Sequence, residues 1–237
     1  MGNRVIKKVP VKQGLYEINA TQQGDVGAVM VFEDGRKYVY CLNGADTLTP
    51  GAVVQGTVLD ADDDDIVVAS TAAVGDKTIS ITTARIYTAN ELKDGWIYVQ
   101  EGTNLGHGRK IKSHPAAASA ATLVITLYDA LTKVITFGDD VIQVVPNPYK
   151  GVLLQNAPDG AVIGVAPLDV TAAYYFWLQT KGACPVITIT EAVTVGLDVD
   201  AKSATITIGD GAGDCTIGRA MTTSATDDAL LVDLNLT

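Results

Sequence analysis

The sequence has little that would serve a membrane, a metal or a redox centre. No run reaches the roughly 20 uninterrupted apolar residues that a bilayer-spanning helix needs. The opening MGNRVIKKVPVKQG has no apolar block of a secretory leader, and Ile6 stands where a myristoylation signal has Ser or Thr. No membrane partner is therefore expected. Cysteine occurs only at Cys41, Cys184 and Cys215. That odd, widely spaced set offers neither a disulfide framework nor a zinc site and fits free thiols in a reducing cytoplasm. Histidine occurs only at His107 and His114. On a strand, seven positions put them on opposite faces, and Gly106, Gly108 and Pro115 oppose the helix that would align them. No metal and no other cofactor is expected.

Motifs of catalysis are equally scarce. Ser113 adjoins His114 in sequence alone, without a GxSxG turn. Cys184, in GACPV between two apolar segments, reads as a small buried hydrophobe. The run Asp60-Ala-Asp62-Asp63-Asp64-Asp65 spaces carboxylates like a calcium loop. It has Asp65 where the loop needs Gly and Thr71 where it needs Glu, so a solvated acidic turn is expected. The glycine-rich stretch from Gly102 to Lys110 lacks the GK[ST] ending of a phosphate cradle and reads as a turn feeding a strand through Ile111. Gly209 to Asp214 occurs once, whereas calcium-binding β-helix motifs come in arrays. An enzyme is not expected.

What the chain does have is alternation. Ile79 and Ile81, then Leu123, Ile125 and Leu127, then Ile187 and Ile189, Ile206 and Ile208, and Leu230, Val232, Leu234 and Leu236 each recur with period two. Such spacing predicts strands with one buried face. Turn signals separate them, at Asn43-Gly44, Pro50-Gly51, Asp94-Gly95 and Asp159-Gly160, and most sharply at Asp34-Gly35 between VMVFE and RKYVYCL, which predicts a hairpin. Helix signals are few. Thr88-Ala-Asn-Glu91 has capping-box spacing but meets Gly95 after about two turns, and PAAASAA (115–121) is too short to stand alone. The fold class is all-β, with short antiparallel strands in one or two barrel or sandwich units and very little helix. Apolar residues at 47% and charged residues at 19% suffice for a packed core. Thr49-Pro-Gly51-Ala-Val-Val and Thr194-Val-Gly196-Leu-Asp-Val share a cadence too loose to prove duplication.

Charge and aromatics mark the candidate contact residues. The net charge is −10, but the first fourteen residues carry Arg4, Lys7, Lys8 and Lys12 and no acid, a local +4 that leaves −14 on the remainder. An acidic body repels nucleic acid, while the basic segment suits an acidic neighbouring surface. Arg109, Lys110 and Lys112 form the only internal basic cluster, a docking patch or a solvated strand face. Tyr174-Tyr175-Phe176-Trp177 as a strand puts Tyr175 and Trp177 on one face, for burial in the core or in a dimer or trimer of this chain. The domains read as a basic arm over 1–14, a β-rich body over 15–148 with an inserted segment 58–133, and a barrel or sandwich over 149–237 that can pair with 15–57.

The segments GRKYVYCLNGADTLTPGAVVQ (35–55), TANELKDGWIYVQEGTNLGHGRKIKSHPAAASAATLVITLYDALT (88–132), AAYYFWLQTKGACPV (172–186) and DDALLVDLNL (227–236) together resemble structural proteins of tailed bacteriophages. The resemblance implies a non-enzymatic virion protein on the capsid surface, made in the bacterial host cytoplasm. It would decorate or cement the shell by bridging major capsid subunits, or sit on the tail or baseplate. From the residues alone the runner-up is a glycan or cell-surface binding module, with Trp96, Tyr98 or Trp177 as stacking platforms.

Overall fold

In a computed structural model the chain is all-β, and residues 5–8, 11–155, 160–187, 192–203, 205–209 and 215–236 are described. It divides into two compact units, 1–58 with 148–237 and, inserted between them, 59–147. The first unit opens with β1 (Val5–Lys8), β2 (Val29–Phe32), β3 (Lys37–Asn43) and β4 (Val53–Gln55). The inserted unit holds β5 (Ile66–Val67), β6 (Thr78–Thr82), β7 (Trp96–Glu101), β8 (Gly108–Ser113), β9 (Thr122–Leu127) and β10 (Val141–Val145). The first unit then resumes with β11 (Lys150–Leu154), β12 (Val162–Val165), β13 (Tyr175–Ile187), β14 (Asp198–Lys202), β15 (Thr205–Ile208), β16 (Cys215–Ala220) and β17 (Ala229–Asn235). The insert runs to 147 and not to 133 because β10 pairs with β5 and β7.

The first unit is one eleven-stranded sheet in the order β1-β2-β3-β11-β4-β12-β13-β17-β16-β14-β15, closed on itself where β3 also pairs with β13. Strands β3, β11, β4, β12 and β13 thereby form a small barrel. Its interior takes alternate residues of each strand: Val39 and Cys41, Val152, Val54, Ile163, and Phe176 with Leu178. The opposite face of the β3/β13 pair is also dry. There Tyr38, Tyr40 and Trp177 pack with Val11, Met30 and Phe32 beneath the Asp34-Gly35 hairpin of β2 and β3. Beyond Thr180 the thirteen-residue β13 changes partner, pairing from Lys181 to Ile187 with β17. Its Cys184 and Val186 join a separate cluster with Val199, Ile217, Val232 and Leu234. Gly182 sits at the transfer with φ +82, and a Cβ there would lie 3.0 Å from the Arg36 backbone, so no other residue fits unstrained.

The inserted unit is a six-stranded sheet, β5-β10-β7-β8-β9-β6. It closes through a bridge between Val68 and Ile81, with the Ala69 amide 2.8 Å from the Ser80 carbonyl. The alternation at Ile79/Ile81 and at Leu123/Ile125/Leu127 points into this barrel, together with Ile97, Val99, Ile111, Ile142 and Val144. The Gly102–Lys110 stretch is the turn from β7 into β8.

A repeated device holds both units. Leu48 and Val170, Ala72 and Ile135, Tyr87 and Ala117, and Val193 and Ser224 form isolated antiparallel bridges. In the first three pairs each residue donates its amide to the other's carbonyl at 2.9–3.0 Å. Three residues after each bridging residue the backbone turns left-handed, at Gly51, Gly75, Asn90, Ala120, Gly138, Ala173, Gly196 and Asp227. Each turn then delivers a strand: β4, β6, β7, β9, β10, β13, β14 or β17. The similar cadence of 49–54 and 194–199 is thus two instances of one structural repeat.

The turn position separates backbone strain from packing. Gly138 has φ +81 and open space around a Cβ, whereas Ala120 already adopts φ +57. Gly138→Ala should cost about 1 kcal/mol, and Ala120→Gly should be neutral or gain roughly 0.5 kcal/mol. Urea denaturation midpoints of the two variants should move in opposite directions or, for Ala120→Gly, stay in place.

Candidate interaction surface

The buried polar groups come first, because they decide whether chemistry is assembled in the interior. In the acidic run, Asp60 caps a single 3-10 turn, Ala61–Asp63, and Asp63 is buried. Both Asp63 oxygens accept from Arg85, each at 2.9 Å, and Oδ1 also accepts from the Tyr87 hydroxyl at 2.6 Å. The guanidinium reaches Glu91 at 2.6 Å and lies 4.1 Å from the Tyr87 ring centroid. The expected solvated turn is therefore corrected at Asp63, which anchors an internal ion pair because Arg85 and Tyr87 supply the contacts a buried carboxylate needs. Glu91 in turn accepts from the Thr88 amide at 2.9 Å, completing half of the capping box on a turn without a helix.

Asp140 is also buried. It accepts from the Thr136 amide at 2.7 Å and the Asn104 amide at 3.1 Å. Burial alone would raise its pKa, but these amides outweigh burial and lower it. Glu91 behaves likewise, with the Thr88 amide and Arg85 overcoming burial. The two histidines flank β8. His114 is a buried strut, its Nε2 accepting from the Leu92 amide at 2.9 Å while Nδ1 faces the Pro115 carbonyl at 2.8 Å. Burial, followed by the Arg109 and Lys133 charges, lowers the pKa of His107. Among the described residues no group of three His, Cys, Asp or Glu side chains could hold a metal.

An apolar cleft of about 340 Å³ in the first unit is lined by Tyr16, Pro50, Pro167 and Pro185, with Tyr38 and Cys184 in its wall. The Tyr38 hydroxyl donates to Gln179 Oε1 at 3.0 Å and accepts from Arg36 at 3.2 Å. Burial, offset in part by Arg36, pushes the Tyr38 pKa up to about 12. Burial also carries the Cys184 thiol to about 12. Both therefore stay protonated at neutral pH.

The residues singled out from the sequence land in different settings. Arg4 lies outside the described residues. Lys7 and Lys8 lie on β1, opposite Val31 and Met30 of β2, so this stretch of the arm is a strand on its own chain. Lys12 is exposed, but Val11 and Gln13 on either side are buried, and Gln13 bonds to the Tyr175 carbonyl and the Tyr40 hydroxyl. An arm over 1–14 therefore ends before Val11. Trp177 is fully buried and donates its indole N–H to the Gln13 carbonyl at 3.2 Å, while half-buried Tyr175 stacks on Tyr40. Trp177 thus belongs to the core, and neither an oligomer contact nor a stacking platform can use it.

Arg109 turns back on its own unit, bonding the Ala130 carbonyl and Thr132 Oγ1, each at 2.9 Å. Lys110 and Lys112 share the outer face of β8 and are exposed. Composition alone missed their setting. Lys110 is directly opposite Trp96 on one side, and on the other its carbonyl accepts from the Tyr128 amide at 3.1 Å. Trp96 on β7, Lys110 on β8 and Tyr128 just past the end of β9 thus form one row, with Trp96 52% and Tyr128 40% exposed. The alternation of β7, which places Ile97 and Val99 inward, was the available signal.

Glu91 and Asp140 fix an acid limb. Their folded pKa values lie below the ordinary 4.5 and 3.8, so their contribution is complete above those values and is lost as pH falls through the lower, folded ones. Stability should hold from neutral pH down to about 5 and then fall. In denaturation against pH, Glu91→Gln and Asp140→Asn should each be less stable at pH 7 and show a shallower acid limb. Asp63→Asn, which leaves Arg85 without its buried counter-charge, should cost about 3 kcal/mol at pH 7.

No protein-family model matches the sequence, and neither a curated protein nor a solved structure matches it.

Proposed function

We propose that the protein is a non-enzymatic structural component of a virus particle. It decorates or cements the exterior of a tailed-phage capsid by bridging major capsid subunits. The observation that carries this reading is β1. A strand that includes Lys7 and Lys8 forms the margin of the eleven-stranded sheet, paired with β2 on one side and with no strand on the other among the described residues. An edge of this kind accepts a further strand from a neighbour. The basic residues Lys7 and Lys8 suit an acidic partner. Supporting it, Asp63, Asp140, His114, Tyr38 and Cys184 are each held in structural contacts or kept protonated. Many copies bound at symmetry-related positions would turn a weak single contact into stable capture.

Deletion of residues 1–8 tests the edge strand. Because Val11 and Gln13 are retained, the truncated protein should melt within a few degrees of the full chain. On capsids lacking the protein it should need a markedly higher concentration to saturate, and the difference should shrink as salt rises. Saturation at the same concentration and salt as the full chain would show that β1 makes no shell contact. Electron microscopy that placed the protein on tail or baseplate would overturn the capsid assignment.

A further inference from the structure

The outer face of the inserted barrel carries aromatic residues beside lysines. Outward positions of β6 are Thr78, Ser80 and Thr82, as befits a solvated face. On β7 and β8 they are instead Trp96 and Tyr98, then Lys110 and Lys112. The ladder puts Trp96, Lys110 and Tyr128 side by side, so the backbones of Trp96 and Tyr128 stand two strand spacings apart, roughly 10 Å.

The row is built and not merely exposed. Asp94, two residues before β7, adopts φ +66, a left-handed conformation that Asp tolerates better than most residues with a side chain. Its backbone N–H donates to the Ile111 carbonyl at 2.9 Å. From there its Oδ1 accepts from the Tyr128 hydroxyl at 2.9 Å and lies 3.7 Å from Lys110 Nζ. Lys110 Nζ is in turn 5.7 Å from the Tyr128 ring centroid, and Lys77 reaches the Tyr128 carbonyl at 3.5 Å. One carboxylate therefore orients a tyrosine and a lysine while the tryptophan stays uncovered.

We propose that this row is a binding site for an acidic oligosaccharide, a chain of carboxylated sugars. The aliphatic faces of pyranose rings stack on flat, rigid aromatic side chains, and two aromatic residues in one row suit a chain of sugars better than a single one. Hydroxyl-rich ligands need neighbouring donors and acceptors, which Asp94, Lys110 and Gln143 provide; Gln143 is itself bonded to the Tyr98 hydroxyl. Lysines select the acidic class. Asp94 balances Lys110, but Lys112 beside it is exposed and Lys77 flanks the row, within a chain whose net charge is −10. An open sheet face admits the middle of a polymer, which a closed pocket would not. The site does not depend on shell docking, since none of its residues belongs to the unit that carries β1.

Tryptophan fluorescence of the full chain tests it. Trp177 is fully buried, so a ligand at the surface should change the emission of Trp96. Titration with alginate oligomers, which are polymers of uronic acid, should give a saturable change that weakens with added salt. Neutral malto-oligosaccharides should give none. Lys110→Ala and Tyr128→Ala should each weaken alginate binding roughly tenfold, and Trp96→Ala should remove the fluorescence change and weaken binding measured by calorimetry. All three side chains are exposed, so unchanged thermal melts would confirm that the variants fold. The proposal fails if alginate does not bind, if malto-oligosaccharides bind equally well, or if Trp96→Ala binds alginate like the parent protein.

Discussion

The first unit depends on one strand, β13, which has no solvent face through its first half. Phe176 and Leu178 fill the small barrel, while Trp177 on the other side is capped by Val11, Met30 and the Gln13 carbonyl. A strand buried on both faces cannot shift by one residue without placing large aromatic side chains in positions shaped for others, so the register of β3 against β13 is fixed by packing alone. The change of partner at Gly182 is where that order would otherwise break down. There Gln179 holds the bend, donating from Nε2 toward the carbonyls of Lys181, Gly182 and Ala183 while its Oε1 takes the Tyr38 hydroxyl. A buried amide with donors and acceptor both engaged lets one strand serve two hydrophobic clusters without exposing unpaired backbone.

Where β13 supplies the common wall, the bridged turns supply closure. Each pair joins two chain segments far apart in sequence, 122 residues in the case of Leu48 and Val170, and three of the four pairs do so through two backbone hydrogen bonds. The bridging side chains face inward, and Leu48, Tyr87, Val170 and Val193 are fully buried. The left-handed residue that follows aims the chain into the next strand. A short motif used repeatedly thus solves the same problem in both units: how to begin a strand at the rim of a barrel while satisfying the rim's own amides.

Period two made the strands legible, because an inward residue at every second position is a local property. Ile79, Ile81 and the run from Leu123 to Leu127 face the core as their spacing requires, and Asp34-Gly35 turns the hairpin it signals. The repeat was mostly hidden. Gly51 and Gly196 announce it, but Ala120 and Ala173 occupy the same left-handed position without any turn residue in the sequence. Barrel closure at Val68 and Ile81 was illegible for a different reason, since a single bridge leaves no pattern. Asp63 looked solvated among its acidic neighbours because its partner Arg85 lies 22 residues away with nothing in the spacing to mark it. Of the candidate contacts, Lys110 and Lys112 could be found from charge. Their alignment with Trp96 and Tyr128 required the register.

Barrels this small leave no room inside for a ligand, and their inward residues are aliphatic or aromatic hydrophobes packed against one another. Whatever such a barrel recognises must therefore be met by outward positions, where side chains are not constrained by packing and where polar residues are the default. On that ground an outward tryptophan aligned with a lysine and a tyrosine carries more information than any interior group. Leaving Trp96 uncovered forgoes the stabilisation that burial would bring, and Asp94 beside it is held at positive φ. Both features lie within three residues of sequence and converge on the row to which the saccharide proposal assigns a ligand.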